Sequence, residues 1–316
     1  MMFNQPININ QRHFLLILYG VILCVFGPTM YWITHRESPT AVPGGKNSIE
    51  KRVSLGDKIL VTAHSNEAKQ AGVSAFDQGD YVAAQEDFSE ALKSDRNDPE
   101  TRIYLNNTIA AKTKNPYRIA VSVPIGGDLG AAEEILRGVA QAQTEINRDG
   151  GIQNKPLMVE IANDDNDPGI AREIANVFVK DKKISAVVGH NDSNASIAAA
   201  PIYEAAGVVM ITPTSSAEAL PAMGDYIFRS TPSTRYLAET LAEYAVKVAN
   251  EEKIAMCIDS DAQVSVSFQE DFTWAVYNYG GKIIPLDCDL AAADFLPTEI
   301  PSQAISKGAD ALLLAP

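Results

Sequence analysis

From Tyr117 onward the chain alternates short apolar, β-branched runs with amphipathic stretches, and this alternation does most to limit its fold. Strand candidates are 118–123, 157–162, 186–189, 208–211, 226–228, 253–258, 282–286 and 310–314. Helix candidates lie between them at 131–147, 170–179, 193–206, 234–249, 265–279 and 297–306. Strand and helix in strict succession predict βαβ units, a parallel sheet and right-handed crossovers. The fold class expected is therefore α/β. Two hydroxyl-rich loops stand out within it, Gly189-His-Asn-Asp-Ser193 and Thr212-Pro-Thr-Ser-Ser216. Each follows a strand candidate, and the first opens a helix. In an open parallel sheet such loops lie side by side at the carboxyl edge, where α/β proteins bind ligands. Backbone N–H groups at a helix start, with Ser and Thr hydroxyls, suit a carboxylate. No residue stands as a nucleophile beside its base, so no catalytic group is expected. The segment reads as a site that holds rather than cuts.

Charge narrows the partners. The formal net charge of −14 belongs wholly to residues 117–316, because residues 1–116 balance to zero. Such a surface repels nucleic acid and anionic lipid, so no nucleic-acid partner is expected. Glycines 126, 127 and 130 after the first strand miss the G-x-G-x-x-G spacing, and no phosphate-binding loop motif occurs, so no cofactor is expected. The acidic run Asp164–Asp167 reads as an exposed turn capping the next helix in preference to a calcium loop, and no metal site is expected. His190, beside the first hydroxyl loop, reads as structural. Cys257 and Cys288 fall in or beside strands; buried free thiols are the preferred reading, with a disulfide as the alternative.

The first third is organised differently. Residues Phe14 to Ile33 carry no charge over about 20 positions, which matches the thickness of a bilayer core. Residues 1–36 are read as a transmembrane anchor in preference to a cleaved signal peptide. The charge count, Arg36, Lys46, Lys51 and Arg52 after the apolar run against Arg12 before it, favours a cytoplasmic C-terminal part. Residues 37–62 read as a linker rich in Pro, Gly and Ser. In 63–116 the positions of Gly72, Phe76, Gly79, Tyr81, Ala84, Phe88, Ala91 and Leu92 resemble one tetratricopeptide repeat, a small helical hairpin, with a third helix starting near Asp98-Pro99. One repeat builds no solenoid core, so this segment reads as a spacer.

Five blocks in order carry a resemblance. They are Tyr117-RIAVSVPIGGDLG, Glu134-ILRGVAQAQTEINRDGGIQNKPLMVEIANDDNDP, the GHNDS loop, the TPTSSAEAL loop and Tyr226-IFRSTPS. Over about residues 117–316 the chain resembles the type I periplasmic binding proteins, specifically the leucine/isoleucine/valine-binding group that serves ABC transporters. The resemblance implies two Rossmann-like lobes, the first over 117–230 and a partial second over 231–316, incomplete at its C-terminal end relative to the family. It implies an amino acid as ligand, ABC permease subunits as partners, no catalysis and a soluble part facing the periplasm, against the charge count. Ser193 matches the residue that receives the ligand carboxylate, and Ser216 the hydroxyl bridging carboxylate and ammonium. Thr214 and Ser215 match positions whose carbonyls accept from the ammonium, and Leu129 a position that touches the ligand side chain. Val264 stands where relatives often carry an aromatic. The alternative role is a ligand-sensing module coupled to a signalling partner.

Overall fold

The computed structural model describes residues 49–315. The anchor assigned to 1–36, the first part of the linker and Cys24 lie outside the described residues. Among the described residues no helix is long and apolar enough to cross a membrane.

The first sheet has six strands: β1 (Val53–Ser54), β2 (Tyr117–Val123), β3 (Leu157–Asn163), β4 (Ile184–Val188), β5 (Val209–Thr212) and β6 (Ile227–Arg229). Their spatial order is β1-β3-β2-β4-β5-β6. All neighbours run parallel except β1, which pairs antiparallel with β3. The chain moves from β2 outward to β3, then crosses back to β4. The switch of direction therefore falls between β2 and β4, where a doubly wound sheet opens a crevice at its carboxyl edge. Ser193 follows β4 directly.

Period-two alternation along the strands feeds two cores. Ala120, Ala162, Val187 and Met210 face one core, which includes residues of α5 (Pro168–Phe178) and α6 (Ser193–Ala206). Val121, Val123, Val159 and Ile161 face the other, which holds Leu136 and Ala140 of α4 (Leu129–Arg148). Helix α6 stops at Gly207, whose φ of 67° supplies the left-handed cap that a side chain would disfavour.

The segment 63–116 is more than a spacer. Helices α1 (Glu67–Asp77) and α2 (Tyr81–Ser94) do form a hairpin, and Gly72 lets them approach: a Cβ there would lie 2.6 Å from the Phe88 ring. Helix α3 (Pro99–Ala111) then joins the sheet. Its Ile103, Tyr104 and Ala110 share the core of Val121, Leu136 and Val159. Asn107 acts as a substitute strand. Its Oδ1 accepts the N–H of Val159 (2.9 Å) and its Nδ2 donates to the carbonyls of Val159 (2.7 Å) and Leu55 (2.8 Å). These bonds cover backbone groups of β3 where short β1 does not reach. Lys69, fully buried, holds the hairpin to α3 through Asp98 and Glu100, both at 2.7 Å. Within the segment read as a linker, Val53 and Ser54 form a strand and Val61 is buried in the same core.

The second sheet, in order β8-β7-β9, is parallel and comprises β7 (Lys253–Ile258), β8 (Lys282–Ile284) and β9 (Ala311–Ala315). Helices α7 (Thr234–Glu243) and α8 (Gln263–Asn278) pack over it through Ala238, Ala242, Phe272 and Val276; α9 (Ile300–Ser306) leads into β9. The helix expected over 234–249 widens after Glu243 into a π-helical turn, Tyr244–Val248. The preference for free thiols does not hold. Past the end of β8 the chain returns to bridge Ile258 with Asp289, which sets Cys288 beside Cys257 at a Cα separation of 4.9 Å, and the two are disulfide-bonded.

Candidate ligand-binding site

The two hydroxyl loops meet at the carboxyl edge of the first sheet. Ser193 Oγ and Ser215 Oγ are hydrogen-bonded at 2.8 Å, and both residues are buried. A ladder of bonds aligns the loops behind them. Thr212 Oγ1 accepts the N–H of Ser215 at 3.1 Å and donates to the carbonyl of His190 at 2.8 Å. Ser196 Oγ donates to the same carbonyl at 3.0 Å, and Thr214 Oγ1 donates to the carbonyl of Asn191 at 2.8 Å. Ser216 enters through its carbonyl, which accepts from Thr234 N and Arg229 Nη1, each at 3.0 Å. Arg229 Nη1 also holds the carbonyl of Ala217 at 2.9 Å.

Of the five residues that the sequence picks out, four come together here: Ser193, Thr214, Ser215 and Ser216. Ser215, expected to act through its carbonyl, also pairs its hydroxyl with that of Ser193. Leu129 is the first residue of α4, half-buried against the core that α4 shares with the helical hairpin. Val264 is half-buried in the first turn of α8.

The start of α6 is not free. Asp192 Oδ1 accepts the N–H groups of Asn194 (2.8 Å) and Ala195 (3.2 Å), an ordinary N-cap. A ligand carboxylate would meet the Ser193 and Ser215 hydroxyls beside a fixed negative charge, not the bare helix start that the loop pattern suggests.

Beneath the loops lies a polar group that the sequence does not announce. Asp164 is fully buried, and its Oδ2 takes the hydroxyl of Ser122 at 2.8 Å and lies 2.6 Å from His190 Nδ1. His190 Nε2 is 3.3 Å from the Tyr203 hydroxyl. Burial pushes the Asp164 carboxyl up, but His190, the N–H of Asn166 and the Ser122 hydroxyl more than offset this and hold it below its ordinary value. Burial and the nearby Asp164 charge push the Tyr203 phenol well above its ordinary value. The acidic run is thus only partly the exposed turn expected: Asp167 caps α5, while Asp164 anchors the first hydroxyl loop from below. His190 is held as a structural residue: Asp164 and His190 follow β3 and β4, which flank β2 in the sheet, and Ser122 of β2 completes the group.

Comparison with known proteins agrees with this geometry. Residues 116–316 match the family model described as periplasmic binding protein. The Leu/Ile/Val-binding protein of Escherichia coli K12 is 33% identical over 144 residues, 45% of this chain and 39% of that protein. The chain thus spans about two fifths of the length of such relatives. A substrate-binding protein of a branched-chain amino acid transporter from Streptococcus pneumoniae, solved with isoleucine, superposes with a TM-score of 0.56 at 25% identity, covering 63% of this chain and 56% of that one. An ABC transporter substrate-binding protein from Desulfitobacterium hafniense, solved with Leu, gives 0.54 at 27% identity, covering 63% and 58%. With the family model covering more than half of its residues, the chain belongs to the periplasmic binding protein family.

Proposed function

We propose that this chain is a solute-binding protein that captures a branched-chain or related amino acid for uptake through an ABC permease, without catalysis. The observation that carries this reading is the buried Ser193–Ser215 pair at the switch point of the first sheet. Hydroxyls and carbonyls clustered there supply donors for a carboxylate and acceptors for an ammonium, which is what a zwitterion needs. Residues 117–230 would form the lobe that grips these groups, and residues 231–316 the opposing lobe. The solved relatives that hold leucine and isoleucine support the ligand class. The Cys257–Cys288 bond supports a location on the oxidising side of the membrane, against the charge count around Phe14–Ile33. Residues 1–36 would then anchor the protein, and a permease would be its partner.

A thermal-shift screen of the full chain against amino acids tests this, because a ligand that binds the native state raises its melting temperature. Leucine, isoleucine or valine should raise the melt, and Ser193→Ala should abolish most of the rise. A flat response to every amino acid would defeat the proposal.

A further inference from the structure

Helices α1 to α7 each begin at a residue that caps its own helix: Asn66, Asp80, Asp98, Asp128, Asp167, Asp192 and Ser233. Helix α8 begins after Ala262, which has no side-chain acceptor to offer. Its first N–H is taken from across the cleft instead. Asn194 Oδ1, in the first turn of α6, accepts the N–H of Gln263 at 3.1 Å. The same amide donates through Nδ2 to the carbonyl of Asp261 at 3.0 Å. One side chain therefore bridges the carboxyl edges of the two sheets at two points.

Both ends of this bridge are firmly built. Asn194 is held by Asp192, whose Oδ1 accepts its N–H at 2.8 Å. The 259–262 turn is held by Asp259, whose Oδ1 accepts from the N–H of Asp261 (2.9 Å) and Ala262 (3.1 Å). A rotation that parts the lobes must break both bonds of Asn194 together. Asn194 also follows Ser193 directly, so a ligand seated on the hydroxyl pair fixes the same helical turn that carries the bridge.

We propose that Asn194 is the closure latch of the cleft: it supplies in trans the N-cap that α8 lacks and so biases the two lobes toward the closed arrangement. The residue is a positioning residue for ligand retention, and this role rests on reading the cleft as an amino-acid clamp. Two hydrogen bonds of ordinary strength correspond to a shift of about tenfold in the ratio of closed to open molecules. Closure of two lobes around a cleft is the kind of motion such a bridge would bias.

Hydrogen exchange on the full chain without ligand tests the latch. In Asn194→Ala the amide of Gln263 should exchange about tenfold faster, while those of 275–278 at the far end of the same helix keep their wild-type rates. An unchanged rate at Gln263 would overturn the proposal. So would an equal rise along all of α8, which marks general loss of stability. Should Asn194→Ala fail to fold, Asn194→Leu is read by the same criterion, since it has nearly the size of asparagine but neither an acceptor for Gln263 nor a donor for the Asp261 carbonyl. Leucine release is measured separately and should be about tenfold faster in the variant. If wild-type protein binds no leucine, the ligand reading fails while the exchange result still decides whether the latch exists.

Discussion

Ser193 and Ser215 share one hydrogen bond and sit beside the carboxylate of Asp192. That neighbour sets the electrostatics of the site. Asp192 caps α6, but its charge opposes a ligand carboxylate arriving at the same turn. Asparagine caps a helix about as well as aspartate. We therefore expect Asp192→Asn to leave the melting temperature nearly unchanged and to tighten leucine binding several-fold, with the larger gain at low ionic strength. Unchanged or weaker binding in a calorimetric titration would contradict this. The Ser and Thr positions were legible because hydroxyls after β-branched runs mark strand-to-helix loops. Which hydroxyls meet was not legible, since the choice of Ser215 over Ser216 depends on the bonds from Thr212 to His190 and Ser215.

At the scale of elements, the helical layer of α1 to α3 is part of the first lobe. Its third helix was hard to read as a core element because so much of what it buries is polar: Glu100, Thr101, Asn106, Asn107 and Thr108. The partners of Glu100, Asn106 and Asn107, among them the Lys69 ammonium, Thr144 and the backbone of Val159, come from distant segments and leave no local pattern. A second contact ties the layer to α4. His64 Nδ1 lies 2.7 Å from Asp95 Oδ2 and Nε2 lies 2.9 Å from Glu133 Oε1. Burial opposes the charged imidazole, but hydrogen bonds to Glu133 and Asp95 prevail and raise its pKa above the ordinary 6.5. A raised value means that the folded state binds the proton more tightly than the unfolded one. The resulting stabilisation is complete below about pH 6.5 and is lost as pH rises through the folded-state value. Melting curves at pH 6 and pH 8.5 should show a drop in the wild type that His64→Gln lacks. An equal drop in both would remove His64 from the account.

At the scale of the molecule, two parallel sheets present their carboxyl edges to one another at the turns after β4 and β7, where Asn194 meets Asp261 and Gln263. The parallel alternation of both sheets, and nearly all their strands, were readable from residue 117 onward, because buried parallel strands are apolar runs with little local ambiguity. The antiparallel β1 and the Cys257–Cys288 bond were not. The first is two residues long, and the second depends on the 285–289 segment returning to β7. Under the proposed function, the first lobe's hydroxyl pair, its buried Asp164–His190 support and the bridge to α8 would form a clamp whose grip begins at Ser193. Calorimetric titration of the full chain with L-leucine, in wild type and Ser193→Ala, tests that most directly. Binding should be saturable at one site and about tenfold or more weaker in the variant, as expected for loss of a hydrogen bond to a charged group. No heat with leucine, isoleucine or valine, or equal affinity in wild type and variant, would contradict it.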